Sequence, residues 1–334
     1  MADNGELKPE QQSRSKIKLI AWRGAAVCPG SCGELVQGTW NGVNFLVSCP
    51  VNLVSRAQVS LQPNCPLTGP KNKPKALEAV RKTLAILGKP ELGGTLEIDS
   101  QIPSGKGMAS STADIGAAIA ATAAALGKGL STQSLAELAV AIEPTDGTLL
   151  PGITLFDHVG ARWRLALGRG PRAGILIADL GGEVDTLQFN ARPELAEKNR
   201  LNEPKTRRAF YLVRRGINEK KLTLLGQGAT LSAIANQAIL VKPLLEELIA
   251  WAKARDSFGV IAAHSGTVLG LIYPPERDLN REEERLRAAF PQIAACQKTE
   301  LTEGGVKVVA PDGNTRGKFA GSTGQIWQER VRGF

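Results

Sequence analysis

The stretch Pro103-Ser104-Gly105-Lys106-Gly107-Met108-Ala109-Ser110-Ser111-Thr112-Ala113-Asp114 is built from residue types suited to holding a polyanion. Two glycines and several small residues let the backbone approach an anion closely. The alanine-rich run from Thr112 to Leu126 predicts a helix, stopped by Gly127, whose unpaired amides and positive dipole end face the turn. Upstream, Leu96, Ile98 and Ile102 alternate as in a strand, and Pro103 ends its pairing. A strand, a small-residue turn and a helix in that order suit a nucleotide triphosphate. The stretch is also compatible with plain capping, Ser111 as cap and Asp114 completing an imperfect capping box. It matches neither the Walker loop nor the dinucleotide fingerprint.

Phosphoryl transfer asks for held phosphates, a hard cation and a group to take the acceptor's proton. Ser110 or Ser111 offers a hydroxyl to Mg2+, which prefers oxygen ligands. Glu143 and Asp146 lie in Glu143-Pro144-Thr145-Asp146-Gly147, where proline and glycine force the chain out of the preceding helix. Glu143 is the candidate second magnesium ligand and Asp146 the candidate general base. A solvated helix terminus is the competing reading of that turn, and Asp157 is the rival base. Lys106 is a candidate point charge against phosphate.

Two further turns offer walls for an acceptor. Cys28-Pro29-Gly30-Ser31-Cys32-Gly33-Glu34-Leu35 is read as a glycine turn presenting Ser31 and Glu34. His264-Ser265-Gly266-Thr267 is read as a polar close-approach turn bordering acceptor and terminal phosphate. Glu34, Arg56 and His264 are candidates for the acceptor's charged groups. A thiol dyad of Cys28 or Cys32 with His264 is the nucleophilic alternative, but no serine elbow accompanies that histidine.

The 334 residues, 43% of them hydrophobic, suffice for a large core in two lobes. No apolar run is long enough to span a bilayer, and the polar opening lacks a signal-peptide core, so a cytoplasmic location is expected without a membrane partner. Five scattered cysteines and only two histidines predict reduced thiols and argue against zinc. The formal charge of +9 is concentrated in Lys198 to Lys221, read as a solvated helix face because aromatic residues are sparse and acids interrupt the run. No nucleic-acid partner is expected, and the oligomeric state is left open.

Periodicity then places the elements. Strands are expected over Ile17–Val27, Phe45–Val51 and Leu53–Leu61, and helices over Lys75–Leu87 and from Ser131 or Thr132 to Ile142. A broken strand is expected over Ile153–Leu167 and a buried one over Ala173–Asp179. Helices follow over 192–215, 221–239 and Pro243–Arg255, and paired strands over Phe258–Ala263 and Thr267–Tyr273. A helix over Asn280–Phe290 and a strand over Val306–Ala310 complete the chain. The expected domains are a disordered tail, 1–15, an N-terminal lobe, 16–170, a C-terminal lobe, 171–312, and a polar tail, 313–334.

Pro103, Gly107, Met108, Ser110 and Ser111 resemble the second motif of the GHMP kinase family, with methionine where leucine is usual. Pro29-Gly30-Ser31 and Ala262-Ala263-His264-Ser265-Gly266-Thr267 resemble its first and third motifs. The resemblance implies a two-lobed α+β fold, with a ribosomal-protein-like N-terminal lobe and a ferredoxin-like C-terminal lobe. It further implies ATP bound by residues 103–113, Mg2+ held by Ser110 and Glu143, Asp146 as base, and acceptor binding by Ser31, Glu34, His264, Ser265 and Gly266. Its finer detail, including Glu-Pro-Thr-Asp at 143–146, is similar to the branch that phosphorylates free L-threonine for the cobalamin side chain. Another small alcohol as acceptor, homoserine or an isoprenoid precursor, and nucleotide binding without catalysis are the alternatives.

Overall fold

The computed structural model describes residues 22–182 and 192–311; both expected tails, and the beginning of the strand expected from Ile17, lie outside the described residues. Two long strands, β1 (Trp22–Trp40) and β2 (Val43–Pro63), form an antiparallel pair. Asn41 and Gly42, at φ 50° and 74°, join them in the left-handed geometry that a two-residue hairpin needs. β3 (Leu67–Thr68), α1 (Pro74–Ile86), β4 (Leu92–Ser100), α2 (Ser110–Ala125), α3 (Thr132–Val140), β5 (Ile153–Phe156) and β6 (Arg164–Gly168) follow. The second half carries β7 (Gly174–Asp179), α4 (Leu195–Asn218), α5 (Leu222–Asn236), α6 (Leu245–Lys253), β8 (Gly259–Ala262), β9 (Val268–Tyr273), α7 (Leu279–Ala289), β10 (Ala295–Glu300) and β11 (Lys307–Val309).

The strands belong to one sheet in the order β10-β7-β9-β8-β1-β2-β4-β3, with β11 on β1, β5 on β2 and β6 on β5. Between β6 and β7 the chain passes from the β5–β6 side of the sheet to its β10–β7 side. The sheet is nevertheless continuous there, because Glu34 of β1 pairs with Ala262 of β8, and β11 returns to pair with β1 at Ala25↔Val309. Cys28 to Leu35, expected as a turn, is instead strand. Register shifts between Pro29/Ser31, Ser31/Glu34 and Glu34/Val36 bulge it without ending its pairing to β2.

Helix α2 is apolar all round, and such a helix belongs in a core rather than on a surface. All but three of its residues are buried. Its alanines let it lie very close to β1, where a Cβ at Gly24 would fall 2.2 Å from the Ala121 carbonyl and 2.4 Å from the Ala125 nitrogen. A second group of buried residues, Leu176, Leu248, Leu269, Leu271, Tyr273 and Leu286 among them, packs α6 and α7 against the other end of the sheet.

The basic run lies on α4. There Arg200 pairs with Glu197 and Arg215 with Glu219, each at 2.7 Å, and Arg207 stacks 4.3 Å over the Trp40 ring. These are contacts within the chain along a solvated face, as expected of that segment.

Gly24→Ala is expected to lower stability by about 1–3 kcal/mol, the usual cost of overpacking, because the atoms it meets are backbone. Gly129→Ala, at a position with open space around it, is the control. Urea unfolding midpoints at constant slope read the difference.

Candidate active site

The turn before α2 is made by left-handed residues, Gly105 at φ 73°, Gly107 at 77° and Ala109 at 57°. Ala109 is the N-cap and has no side chain that can accept a hydrogen bond, so the helix starts at Ser110 without a side-chain cap. This corrects the capping reading: the Ser111 hydroxyl donates instead to the Glu143 carboxylate, and Asp114 accepts from Ser55 Oγ at 2.5 Å and from Lys73 Nζ at 2.7 Å. With no capping side chain, the first amides of a buried helix are left to an anion.

Two hollows meet at this turn. One, of about 330 Å³, is bordered by Asn72, Lys73, Pro74, Ser104 and Asp114. The other, of about 250 Å³, is bordered by Glu34, Gly107, Thr112, Glu143, Asp146 and Ser265. Lys75, Gly105, Ser110 and Ser111 line both. Such an arrangement suits a long ligand in the first, its anionic end on the shared turn, and a small acceptor in the second.

Asp146 is fixed from two sides. Its amide donates to Thr112 Oγ1 at 3.1 Å, tying it to the first turn of α2, and its Oδ1 accepts from Ser48 Oγ at 3.1 Å. Ser48 in turn accepts from the Gly147 amide at 3.0 Å. Oδ2 has no hydrogen-bond partner among the described residues. Burial, reinforced by the nearby charges of Glu34 and Glu143 and opposed by the Ser48 hydrogen bond, pushes the Asp146 carboxyl up to about 7. A carboxylate of that basicity matches a proton acceptor at neutral pH.

Glu34 stands opposite Ser48 in the β1–β2 register, which accounts for its closeness to Asp146. Its Oε2 accepts from the His264 amide at 2.8 Å and lies 3.2 Å from His264 Nδ1. Ser232 Oγ lies 3.2 Å from His264 Nε2 and accepts from the Gln37 amide at 3.4 Å, while both neighbours of Nδ1, Glu34 Oε2 and the Ala262 carbonyl, are acceptors. That chain assigns the Nδ1–H tautomer to His264 and leaves Glu34 Oε1 without a protein partner among the described residues. His264 therefore orients Glu34 from behind, and Glu34 and Ser265 are what line the hollow.

Other expected site residues sit differently. Ser31 is fully buried, with its hydroxyl unpartnered, and its amide donates to the Met108 carbonyl at 3.0 Å beneath the turn. The Lys106 side chain turns away to Asp179, 3.1 Å distant, and to the Gly182 carbonyl, and only its backbone belongs to the turn. Arg56 is used by the carbonyls of Ala310 and Pro311. Burial would raise Asp157, but hydrogen bonds from Arg162 and Gly160 hold its carboxyl below the ordinary range, so the rival base is a turn-forming residue. All five cysteines are unpaired, and burial pushes the Cys28 and Cys32 thiols well up, which removes the thiolate that a dyad with His264 would need.

Four contributors were missed from sequence: Ser48, Lys75, His158 and Lys242. Lys75 pairs with the Glu143 carboxylate. His158, pushed down to about 4 by burial, is neutral, and its carbonyl accepts from the Thr145 amide at 2.9 Å beside Asp146. One signal was present for it: the chain has only two histidines.

An uncapped helix start facing a held carboxylate across a hollow is an arrangement suited to a small-molecule phosphotransferase. Family comparison agrees: the GHMP kinases N terminal domain matches residues 74–151 and the GHMP kinases C terminal domain residues 213–292. The chain belongs to the GHMP kinases. It is 36% identical over 292 residues to the L-threonine kinase of Salmonella typhimurium, spanning 85% of this chain and 95% of that protein. Its fold is shared by a homoserine kinase from Cytophaga hutchinsonii, with a TM-score of 0.62 at 16% identity over 90% of this chain and 100% of the other. The fold is also shared by MDDEF in complex with MVAPP, AMPPCP and magnesium, with a TM-score of 0.66 at 14% identity over 86% and 99%. No helix of the described residues is long and apolar enough to cross a membrane.

The raised Asp146 carboxyl carries a stability cost with a definite sign. Between the ordinary carboxylate range near 4 and its folded value of about 7, the folded protein binds a proton that the unfolded chain does not, so stability falls as pH rises through that window. Asp146→Asn is therefore expected to raise the melting temperature at pH 8 and to leave it nearly unchanged at pH 4, as read by thermal unfolding at both values.

Proposed function

We propose that the chain is an ATP-dependent L-threonine kinase, forming O-phospho-L-threonine from the free amino acid. The observation that carries the chemistry is Asp146, one carboxylate oxygen pinned by Ser48 and the other open beside the cradle. Similarity to the Salmonella protein over nearly its whole length supports threonine as acceptor.

In this reading residues 103–113 hold the triphosphate, chiefly through the first amides of α2. Glu34 takes the acceptor's ammonium through Oε1, and Ser265 borders it. The acceptor hydroxyl loses its proton to Asp146 Oδ2 as its oxygen bonds to the γ-phosphorus; the bond from that phosphorus to the bridging β–γ oxygen breaks, and ADP leaves. Ser110 and Glu143 are the proposed magnesium ligands, and Ser111, whose hydroxyl already meets Glu143, joins them. An all-oxygen donor set fits that ion, and the Lys75 ammonium on Glu143 marks a carboxylate that takes a cation. When bound, magnesium supplies neutralisation of the phosphate charge. The related fold of MDDEF holds AMPPCP and magnesium. A cytoplasmic enzyme supplying phosphothreonine to cobalamin side-chain synthesis completes the proposal.

Incubation with ATP, magnesium and free threonine is expected to yield O-phosphothreonine, with homoserine and serine turned over more slowly. Binding of ATP with no transfer to any of these would sink the reading. Asp146→Ala is expected to lower kcat by about 10²–10⁴-fold, the usual worth of a positioned base, with little change in ATP affinity. Wild-type kcat/KM should climb as pH rises through about 7, where the free enzyme's Asp146 loses its proton.

A further inference from the structure

Lys242 lies in the connection between α5 and α6 and is 4% exposed. Its ammonium donates to the Gly266 carbonyl, and among the described residues no carboxylate comes within ion-pair distance of it. An interior ammonium with one neutral partner is costly to keep, and such groups persist where they do something. Its own backbone is fixed by Gln237, whose Oε1 accepts from the Lys242 amide at 2.6 Å and whose Nε2 donates to the Lys242 carbonyl at 3.3 Å.

The carbonyl it holds belongs to a glycine pressed on the phosphate turn. A Cβ at Gly266 would fall 2.3 Å from the Lys106 carbonyl and 2.4 Å from Gly107 Cα, and the Thr267 amide donates to that same Lys106 carbonyl at 3.0 Å. The next residue is held from the far side, where Thr267 Oγ1 donates to Asp179 at 2.7 Å. Lys242 itself does not border the acceptor hollow, whereas Ser265 and Glu34 do.

We propose that Lys242 is a positioning residue that clamps the 264–267 turn onto the phosphate cradle and offsets the buried Glu34 carboxylate, so that acceptor wall and triphosphate stay in register. The inference rests on the kinase reading of the site but not on threonine as acceptor. The charged group acting on this ammonium is Glu34 from β1; His264 and the Lys106–Asp179 pair hold the ends of the same turn through Glu34 and Thr267. Burial pushes the Lys242 ammonium down to about 8, against the pull of Glu34. The charged form is the one present at lower pH, so the clamp's charge is lost as pH rises through about 8.

The test compares Lys242→Met and Lys242→Arg with wild type in steady-state kinetics and in titrations with a non-hydrolysable ATP analogue. Lys242→Met is expected to lose about a hundredfold in kcat, the size of effect that a small misplacement produces, and to bind the analogue more weakly. KM for threonine and for threoninol, its carboxyl-free counterpart, should change by the same factor. Wild-type activity should fall as pH rises through about 8, and Lys242→Arg, which does not titrate there, should lack that limb. Unchanged kcat and analogue affinity in Lys242→Met would overturn the clamp. So would a KM effect confined to threonine, which would mean direct contact with the acceptor carboxylate, or an alkaline limb that persists in Lys242→Arg. Should Lys242→Met fail to fold, the arginine profile decides. Failure of the threonine reading shows separately, as no product from wild type, while the nucleotide titration still reports on the clamp.

Discussion

The approach of α2 to β1 is the constraint on which the site depends. A side chain at Gly24 would sit inside the backbone of Ala121 and Ala125, so helix and strand meet nearly backbone to backbone. Only an alanine-rich helix can come that close, and one buried over so much of its surface cannot be moved without opening the core. Its N-terminus is thereby fixed in depth and direction, and the residues before it must reach β4 in a few steps. Gly105, Gly107 and Ala109 take up left-handed geometry to do so. The anion-binding character of the turn follows from a packing requirement, with the strain at Ala109 as part of its cost.

Charge then sets what the site can do. Glu34, Glu143 and Asp146 crowd one hollow, and burial, reinforced by the charges of Glu34 and Glu143, raises the Asp146 carboxyl towards neutrality. The same crowding is relieved at Glu143 by Lys75 and at Glu34 by hydrogen bonds from His264. Asp146 and Glu34 each keep an oxygen without a protein partner among the described residues, but the engaged oxygen of Asp146 has only the neutral Ser48 hydroxyl, where that of Glu34 has both His264 donors. The least satisfied carboxylate is thus the one best placed to take a proton, and the protein gives up some stability at neutral pH to hold it so.

Local chemistry was legible in the sequence and distant pairing was not. Pro103 to Ala113 could be read because glycine and alanine at those positions have direct backbone consequences, and α1 and α3 because their apolar spacing is helical. Ser131 caps α3 through the Ser134 amide, as its type suggests. By contrast Ser48 reaches Asp146 across 98 positions, and Glu34 reaches His264 across 230. Such contacts depend on strand register, which a bulged segment such as Cys28 to Leu35 hides by shifting it repeatedly. The Asn41-Gly42 hairpin did carry a readable signal. Recognising it would have extended β1 and β2 towards each other as far as Val36↔Val47, but the bulge beyond, which sets Glu34 against Ser48 rather than Cys49, stays hidden. Lys242 offered no signal at all, since a lone lysine in a connection is ordinarily solvated.

The division of labour within the chain follows from the same geometry. The glycine turn before α2, Glu34, Glu143 and Asp146 all come from the first half, on or beside elements that α2 and the β1–β2 pair hold in place. The second half contributes a turn, 264–267, which reaches the cradle through backbone contacts of Gly266 and reaches Glu34 through His264. Because β8 pairs with β1 at Glu34 itself, the residue that lines the hollow from β1 is also the one that joins the two halves of the sheet. The 264–267 turn therefore faces both ways, and a change in acceptor that reshapes it must keep Gly266 against Lys106 and Gly107. One fold can then serve different small alcohols by varying the side chains around the hollow while that backbone contact is kept.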